Sequence, residues 1–289
     1  MRILLLCMFL ASSIVAIAQD SGSKEIPAKV ENGYKWKMVK NCSNNFNSDG
    51  KSDQFNTNWK DMYMGKWRGP GLSYFNESHS EIIDGKLVLK ATRKTGTKKV
   101  NCGIVTSKQT IIYPVFVEAR IKPCNQVLSS NIWLLSMDSK REIDILEIYA
   151  GDRPSEVKNA QQASHNYHVF MRDQTGIKEN FAFPQHHTLP NNEPYRNDFH
   201  NFGMYWKSPS EIDFYIDGEL VNTLRKENMT DPDNQFFDRP MHIILDVEDH
   251  EWRSNKGIVA TDEELADDMK NKMYIDWIRV YKPVKKLFK

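Results

Sequence analysis

The sequence predicts an all-β fold of two packed antiparallel sheets, and three observations support this prediction. Apolar and polar side chains alternate in several short segments, as they do in half-buried strands. Asp-Gly pairs, which favour tight hairpin turns, adjoin some of these segments. A good helix pattern occurs only in residues 261–270, where Thr261 and Glu264 form a capping box. Many short strands with a single helix are typical of a sandwich of two sheets.

The alternating segments locate the individual strands. The predicted strands are residues 86–92, 112–121, 211–217, 242–249 and 274–281. In residues 211–217, for example, Ile212, Phe214 and Ile216 share one face and leave a mostly acidic face opposite. Hairpin turns are expected at Asp84-Gly85 and Asp217-Gly218, because glycine tolerates a positive φ.

The start of the chain has the pattern of a secretory signal peptide. Arg2 precedes an apolar run from Ile3 to Leu10, and Ala16-Ile17-Ala18 is a small-x-small cleavage site. The apolar run is shorter than the roughly 20 residues of a membrane span. A lipoprotein signal that uses Cys7 is the less favoured alternative. We expect a signal peptide over residues 1–18, a flexible mature N-terminus over 19–33 and one domain over 34–289, in a secreted or periplasmic protein.

Composition and charge exclude several kinds of partner. The 289 residues include 39 Lys and Arg against 38 Asp and Glu, and loss of Arg2 with the signal brings the formal charge to zero. A neutral chain without a basic block binds neither nucleic acid nor a membrane surface well. Cys42, Cys102 and Cys124 remain in the mature chain without metal-ligand spacing, so one disulfide and buried free thiols both fit them.

Residues 141–149 contain three acidic side chains whose spacing does not fit a regular strand. Glu142 and Asp144 share a face, but Glu147 would then point into the core. An unpaired buried carboxylate is costly. One extra residue at Ile145-Leu146, a β-bulge, brings all three acids to the same face. The sequence therefore predicts a bulge at this position.

Three acids on one sheet face suggest acid–base chemistry. Their mutual repulsion raises the pKa of at least one of them, as catalysis near neutral pH requires. Retaining glycoside hydrolysis uses two carboxyl groups about 5–5.5 Å apart. Glu142 and Glu147 can lean toward each other across the shorter Asp144. A calcium site and a merely solvated acidic edge are the alternatives.

The motif Glu142-Ile-Asp-Ile-Leu-Glu147 resembles the E-x-D-x-x-E signature of glycoside hydrolase family 16, in its bulged branch. Other segments are similar to the β-agarases of this family. They are Trp67-Arg-Gly-Pro-Gly-Leu-Ser73, Tyr113-Pro-Val-Phe-Val-Glu-Ala119, Asn131-Ile-Trp-Leu-Leu-Ser136, Arg196-Asn-Asp-Phe-His200, Val247-Glu-Asp249 with Trp252-Arg253, and Asp276-Trp-Ile-Arg-Val-Tyr281. The resemblance covers residues 34–284 and makes residues 34–289 the expected catalytic domain.

The resemblance implies a β-jelly-roll sandwich of two antiparallel sheets with an open substrate cleft. It also implies an endo-acting, monomeric enzyme that cuts β-1,4 bonds of agarose, a galactan polysaccharide, with retained configuration. By position, Glu142 is the nucleophile, Glu147 the acid/base, and Asp144 an electrostatic support for Glu142. No cofactor and no catalytic metal are required, although a structural calcium is seen in many relatives and Asp276 could contribute to binding it.

Aromatic side chains are the expected platforms for sugar rings, which present apolar C–H faces. Trp67 precedes the loop Gly69-Pro70-Gly71, and Trp133 shares its strand face with Asn131. The resemblance places both tryptophans in sugar subsites, although packing over the core is an alternative for Trp67.

Polar candidates for hydroxyl contacts lie on two further strands. His168 and Arg172 share a face of residues 164–172, and Glu248 lies on the polar face of residues 242–248. Agarases usually have two histidines at the first of these places, whereas this chain has Tyr167-His168. A core histidine is the alternative for His168. The resemblance assigns sugar contacts to Glu248, whereas Trp252 fits a lid and simple packing equally.

Two other functions remain open from the sequence. A β-porphyranase or carrageenase would need cationic side chains for sulfate, and Arg68 and Arg172 fit that need. The neutral charge favours a neutral galactan instead. A non-catalytic carbohydrate-binding protein or lectin would not need the crowded pair of Glu142 and Glu147.

Overall fold

The alternating segments form two sheets that pack face to face, as seen in a computed structural model that describes residues 25–287. The strands are β1 Tyr34–Met38, β2 Trp59–Lys60, β3 Ser73–Phe75, β4 Ser80–Ile83, β5 Lys86–Arg93, β6 Val100–Cys102, β7 Ile104–Ser107, β8 Val115–Lys122, β9 Ser129–Ser136, β10 Arg141–Tyr149, β11 Gln162–Asp173, β12 Gly176–Ala182, β13 Gln185–Thr188, β14 His200–Ser208, β15 Glu211–Ile216, β16 Glu219–Arg225, β17 Met241–Glu248 and β18 Lys272–Lys285. The helices are α1 Asp53–Asn58, α2 Val157–Ala160, α3 Glu251–Ser254 and α4 Asp262–Ala266, and the 3-10 turns are Lys40–Cys42, Glu77–His79, Pro154–Glu156, Tyr195–Asn197 and Lys226–Asn228.

Each sheet has a continuous strand order. The larger sheet has ten strands in the order β16-β15-β14-β8-β18-β5-β6-β3, with β1 beside β18 and β4 beside β5. The smaller has eight in the order β12-β11-β10-β9-β17-β7-β2, with β13 beside β11. Strands β3 and β6 pair in parallel, and the other pairs within the described residues are antiparallel. The predicted all-β jelly-roll sandwich is confirmed.

The hydrophobic core lies between the two sheets. From the smaller sheet, Ile143, Leu146 and Ile148 on β10 are fully buried, and from the larger sheet Val117 and Ile278 face them with no exposed surface. Burial of one such side chain contributes about 1.5–3 kcal/mol. This core fixes which face of each strand remains for the solvent and the cleft.

The predicted local elements compare well with the structure, apart from the helix. At both predicted hairpins the turn residues have positive φ, for example 50° at Asp84 and 69° at Gly85. Helix α4 has the expected capping box, but it ends at Ala266 rather than at residue 270. The Asp267 carboxylate accepts a hydrogen bond from the Met269 backbone N–H at 2.9 Å, which favours a turn over another helical residue.

The beginning of the described chain packs against the larger sheet. Trp36 Nε1 donates a hydrogen bond to the Ala28 carbonyl at 2.8 Å, and Ala28 is buried. This contact holds part of the segment expected to be flexible. The predicted signal peptide, residues 1–18, lies outside the described residues. Within residues 25–287, no helix is long and apolar enough to cross a bilayer, and all three cysteines of that range are buried free thiols.

A buried ion pair anchors the first residue of β10. Arg141 has no exposed surface, and its Nη2 lies 3.0 and 2.9 Å from the two carboxylate oxygens of Asp231. Its Nε also donates to the Phe236 carbonyl at 2.9 Å. The guanidinium therefore connects β10 to the loop that precedes β17.

Replacement of Arg141 with alanine should destabilise the fold strongly. Arg141→Ala leaves the Asp231 carboxylate buried without its partner, and such losses cost about 3–5 kcal/mol. The free energy of unfolding in urea, followed by tryptophan fluorescence, measures the effect. Arg239→Ala is the matched control, because this partly exposed arginine pairs with Asp138 at the surface and should cost less than about 1 kcal/mol. Equal losses in both variants would contradict this role of Arg141.

Candidate active site

A β-bulge brings three acidic side chains of β10 to one face of the smaller sheet. The pairing register shifts between Asp144 and Leu146 on the β9 side and between Asp144 and Glu147 on the β11 side. Both Ile145 and Leu146 consequently lie in the core, at 4% and 0% exposure. Glu142 and Glu147 remain partly exposed on the opposite face, with the buried Asp144 between them. The predicted bulge is confirmed.

Two further carboxylates lie on β17, at the other side of β9. Asn131 Nδ2 on β9 donates to Asp246 Oδ1 at 2.8 Å and to Glu248 Oε1 at 3.3 Å. Trp133 Nε1 donates to Asp246 Oδ2 at 3.2 Å. These donors stabilise two buried carboxylates that would otherwise be costly to bury. The acidic face therefore extends across three neighbouring strands.

His168 lies at the Glu142 end of this face. Its Nε2 is 3.4 Å from Asp144 Oδ2 and 3.9 Å from Glu142 Oε1. Side chains of Asn166 and Asn180 hold the ring, at 3.0 Å from Nε2 and 2.9 Å from Nδ1. Burial works to lower the pKa of His168, but the Asp144 and Glu142 carboxylates more than offset it and raise the pKa to about 10. The imidazole therefore lies where a positive charge would compensate part of the acidic charge.

A second histidine, His250, lies at the Glu147 end. Its Nε2 is 2.8 Å from Glu248 Oε1, and its Nδ1 is hydrogen bonded to the Tyr149 hydroxyl and lies 3.9 Å from Glu147 Oε1. The sequence reasoning missed His250 because the predicted strand ends before it. The sequence does contain a signal for His250, because Asp246, Glu248 and His250 occupy every second position and so continue the polar face of the strand.

Burial and crowding raise the proton affinity of these acids. Burial and the neighbouring Asp144 raise the pKa of Glu147 to about 7, although His250 acts in the opposite direction. Burial and Asp144 also raise the pKa of Glu142, and burial together with Asp144 raises that of Glu248 to about 8. A carboxyl group with a pKa near 7 can both donate and accept a proton at neutral pH.

Aromatic side chains border the acidic face. Trp67, in the loop after β2, is 44% exposed, and its ring centroid lies 4.9 Å from that of Tyr63. Tyr63 stacks at 6.4 Å over Trp133. Trp133 lies on the acidic face as expected, but its exposure is only 6%, so Trp67 is the more accessible platform. Tyr63 has no sequence pattern that marks it. At the Glu147 end, the 53% exposed Trp252 packs edge-on against Tyr149.

The loop that carries Trp67 is joined to the end of β17. Asp249, the residue after Glu248, accepts a hydrogen bond from the Leu72 backbone N–H at 2.8 Å. Gly71 has φ +52°, and a Cβ atom there would lie 2.1 Å from Asp249 Oδ2. This close approach requires glycine at position 71.

Arg172 is bound to a turn next to the acidic strand. Its Nε donates to the Ser139 carbonyl at 2.6 Å, in the turn between β9 and β10. The guanidinium lies 5.1 Å above the Phe170 ring. These contacts hold Arg172 beside the turn that leads into β10, and its substrate contact stays a prediction.

Residues that resemble metal ligands occur in two places. Among residues 25–287, the only group whose ligand-type atoms lie within 4.8 Å of one another is that of Glu142, Asp144 and His168. The same side chains lie near ion-pair distance of one another, with His168 Nε2 at 3.4 Å from Asp144 Oδ2. Asp276, considered for a structural calcium, lies 3.2 Å from the Arg120 guanidinium, a cation that competes for the carboxylate. Structural calcium stays a prediction.

Comparisons with known proteins agree with this architecture. A family model described as Beta-porphyranase A-D, GH16 domain, matches residues 36–283. β-Agarase AgaB34 of Agarivorans albus is 43% identical over 292 residues, which cover 97% of this chain and 64% of that protein. The chain thus spans just under two thirds of this relative's length. An extracellular agarase of Streptomyces coelicolor is 35% identical over 275 residues, or 90% of this chain and 87% of that protein.

A solved structure is similar over nearly its whole length. It is an inactivated mutant of β-agarase B of Zobellia galactanivorans in complex with agaro-octaose, with a TM-score of 0.83 and 33% identity over 91% of this chain and 99% of that one. The matched family model, the identities and this structural similarity lead to the same conclusion. The chain belongs to glycoside hydrolase family 16.

Proposed function

We propose that the protein is an endo-acting β-agarase that hydrolyses β-1,4 bonds of agarose with retention of configuration. The observation that carries this proposal is the bulge, which brings Glu142 and Glu147 to one face of β10 with Asp144 between them. The names of the agarase relatives and the agaro-octaose bound to β-agarase B support agarose as the substrate. The name of the extracellular agarase of Streptomyces coelicolor and the pattern of residues 1–18 support an exported protein.

The two glutamates divide the reaction between them. In the first step the Glu142 carboxylate attacks the anomeric carbon, while Glu147 gives its proton to the glycosidic oxygen of the leaving sugar. The products are a covalent glycosyl-enzyme ester and a free sugar hydroxyl. In the second step Glu147, now a carboxylate, takes a proton from water, whose oxygen attacks the same carbon and releases Glu142. Asp144 and His168, which lie beside Glu142, provide its electrostatic support.

Binding of the polysaccharide requires aromatic platforms for its sugar rings and polar contacts to its hydroxyls on both sides of the acids. We assign the main platform to the exposed Trp67, with Trp133 beneath Tyr63 as part of the cleft floor. His168 and Glu248 flank the glutamates and can contact hydroxyls, and Arg172 can contact a sugar farther along the chain. No cofactor enters the mechanism, and a monomer suffices for it because all these residues come from one chain.

A β-porphyranase or carrageenase is the second candidate, and one observation favours it. The matched family model is itself described as that of β-porphyranases. A sulfated galactan needs cationic contacts, and the Arg172 guanidinium beside the turn that leads into β10 fits that need. A non-catalytic carbohydrate-binding protein would not need the crowded pair of Glu142 and Glu147 that the bulge brings to one face.

Substitution of either glutamate should abolish hydrolysis. The protein and the Glu142→Gln and Glu147→Gln variants are incubated with agarose, porphyran and κ-carrageenan, and the oligosaccharides are identified by mass spectrometry. We expect products from agarose with the unmodified protein and at least a thousandfold loss, on the order of 4 kcal/mol of transition-state stabilisation, in both variants. Binding of agaro-oligosaccharides should persist, because the amide preserves the shape of each side chain.

The exposed Glu81 on β4 of the larger sheet provides the control. Glu81→Gln should retain full activity. Products from porphyran alone would favour the second candidate, and a fully active Glu142→Gln would contradict the assignment of the nucleophile.

The activity should decrease as the pH rises above neutral. Glu147 must be protonated to act as the acid, and its folded-state pKa of about 7 places the loss of that proton near pH 7. The pH dependence of kcat/KM on a soluble agaro-oligosaccharide measures this loss of activity, which is the alkaline limb of the pH profile. A profile that stays flat from about pH 5 to about pH 9 would contradict the assignment of Glu147 as the acid.

A further inference from the structure

The side chains of Tyr149, His250 and Glu248 form a hydrogen-bonded network beside Glu147 that the two-glutamate mechanism does not use. In this network Tyr149 on β10 is linked to His250, and His250 is linked to Glu248 at the end of β17. The Tyr149 hydroxyl is hydrogen bonded to His250 Nδ1, and His250 Nε2 lies 2.8 Å from Glu248 Oε1. Its middle member, His250, has Nδ1 at 3.9 Å from Glu147 Oε1.

The direction of these hydrogen bonds follows from the groups at the two ends. Burial and the Glu147 carboxylate raise the pKa of Tyr149, so the phenol keeps its proton and donates it to His250 Nδ1. At the other end, Glu248 Oε1 also accepts from Asn131 Nδ2 at 3.3 Å, which identifies this oxygen as an acceptor. The neutral imidazole therefore has its hydrogen on Nε2, and Nδ1 is the nitrogen that can take up a further proton.

We propose that His250 is a positioning residue for acid/base catalysis, which stabilises the carboxylate of Glu147 when its proton moves to the leaving sugar. This inference rests on the proposed function, since it concerns the same acid. In that step the O–H bond of Glu147 breaks, a bond forms between the proton and the glycosidic oxygen, and one negative charge remains on Glu147. An imidazolium 3.9 Å away, with its second proton taken from solvent, favours this anion.

Glu248 binds the other nitrogen of the ring, so that Nδ1 is the nitrogen that faces Glu147. The ring of His250 therefore lies between the carboxyl groups of Glu248 and Glu147. His168 cannot serve the same purpose equally, because it lies against Glu142 and Asp144. The two histidines therefore divide the acidic face, one at the nucleophile and one at the acid/base.

Other charged and titratable groups also act on this pair. Four groups act on Glu147: Asp144 on β10, His168 on β11, Glu248 on β17, and His250. The two acids raise the pKa of Glu147 and the two histidines lower it. His250 is faced by Glu147 and Tyr149 from β10 and by Glu248 and Asp246 from β17. From α3, Arg253 lies 4.1 Å above the Tyr149 ring.

The variant His250→Gln tests the inference, because glutamine keeps a donor and an acceptor but carries no charge. The pH dependence of kcat/KM and of kcat on a soluble agaro-oligosaccharide is measured for both proteins. Because His250 lowers the pKa of Glu147, we expect its removal to move the alkaline limb up by about half a pH unit or more. We also expect kcat to fall about tenfold with little change in KM, because a weaker acid slows only the chemical step.

His200→Gln is the matched control. It removes an imidazole that lies 2.7 Å from a carboxylate, Asp217, on β14 of the larger sheet. Its pH profile should coincide with that of the unmodified protein. An alkaline limb of His250→Gln at the unmodified position would overturn the inference even if kcat falls, because lost packing lowers the rate without changing the pKa of Glu147.

An NMR titration of the unmodified protein keeps the test independent of how the variant folds. As the carboxyl carbon of Glu147 titrates, the imidazole carbon signals of His250 should shift with it, because the two groups lie 3.9 Å apart. A His250 signal that does not respond while Glu147 titrates would overturn the inference. Failure of the unmodified protein to release products from any of the three galactans would instead overturn the proposed function, so the two failures are distinguishable.

Discussion

Mutual repulsion among carboxylates on one sheet face is the constraint on which the rest of the site depends. Glu142, Asp144 and Glu147 on β10 lie close to Asp246 and Glu248 on β17, and all five are at least partly buried. Such a cluster is unfavourable unless donors and opposite charges compensate it. Asn131 and Trp133 provide donors to the acids of β17, and His168 and His250 each place a ring nitrogen within ion-pair distance of a carboxyl group. The residual repulsion keeps the proton affinities high, which is the property that acid–base catalysis requires.

The scaffold makes this arrangement rigid through β10. On one side of the strand, Ile143, Ile145 and Leu146 belong to the core, so the acids cannot rotate away without exposing apolar surface. At its first residue, the Arg141–Asp231 pair fixes the strand to a distant loop. The central position of β10, between β9 and β11, supplies backbone partners along most of its length. The charged face is thus held by interactions that lie largely outside it.

Much of this site could be predicted from the sequence, and the failures have identifiable physical reasons. The bulge was predictable because three acids and four apolar residues in nine positions have only one arrangement that keeps the acids out of the core. The alternation of polar and apolar residues assigns Trp133 to the correct face, but it does not show how deeply the side chain is buried. The Tyr63 ring that covers Trp133 comes from a loop, where no periodic pattern marks it. The helix at α4 ends early because Asp267 bonds to the backbone locally, which competes with the helical pattern. His250 was not predicted because it lies beyond the end of the predicted strand, where alternation of the two faces is no longer expected.

The contact between Gly71 and Asp249 couples two parts of the cleft that are far apart in sequence. The backbone of the loop that carries Trp67 contacts Asp249, the residue between Glu248 and His250. A change of one loop during divergence or engineering would therefore displace both the aromatic platform and the groups that surround the acid/base. Substrate selectivity and pH response in this protein should consequently vary together, and loop exchange with a relative would need to transfer residues 67–72 and 248–252 as one unit.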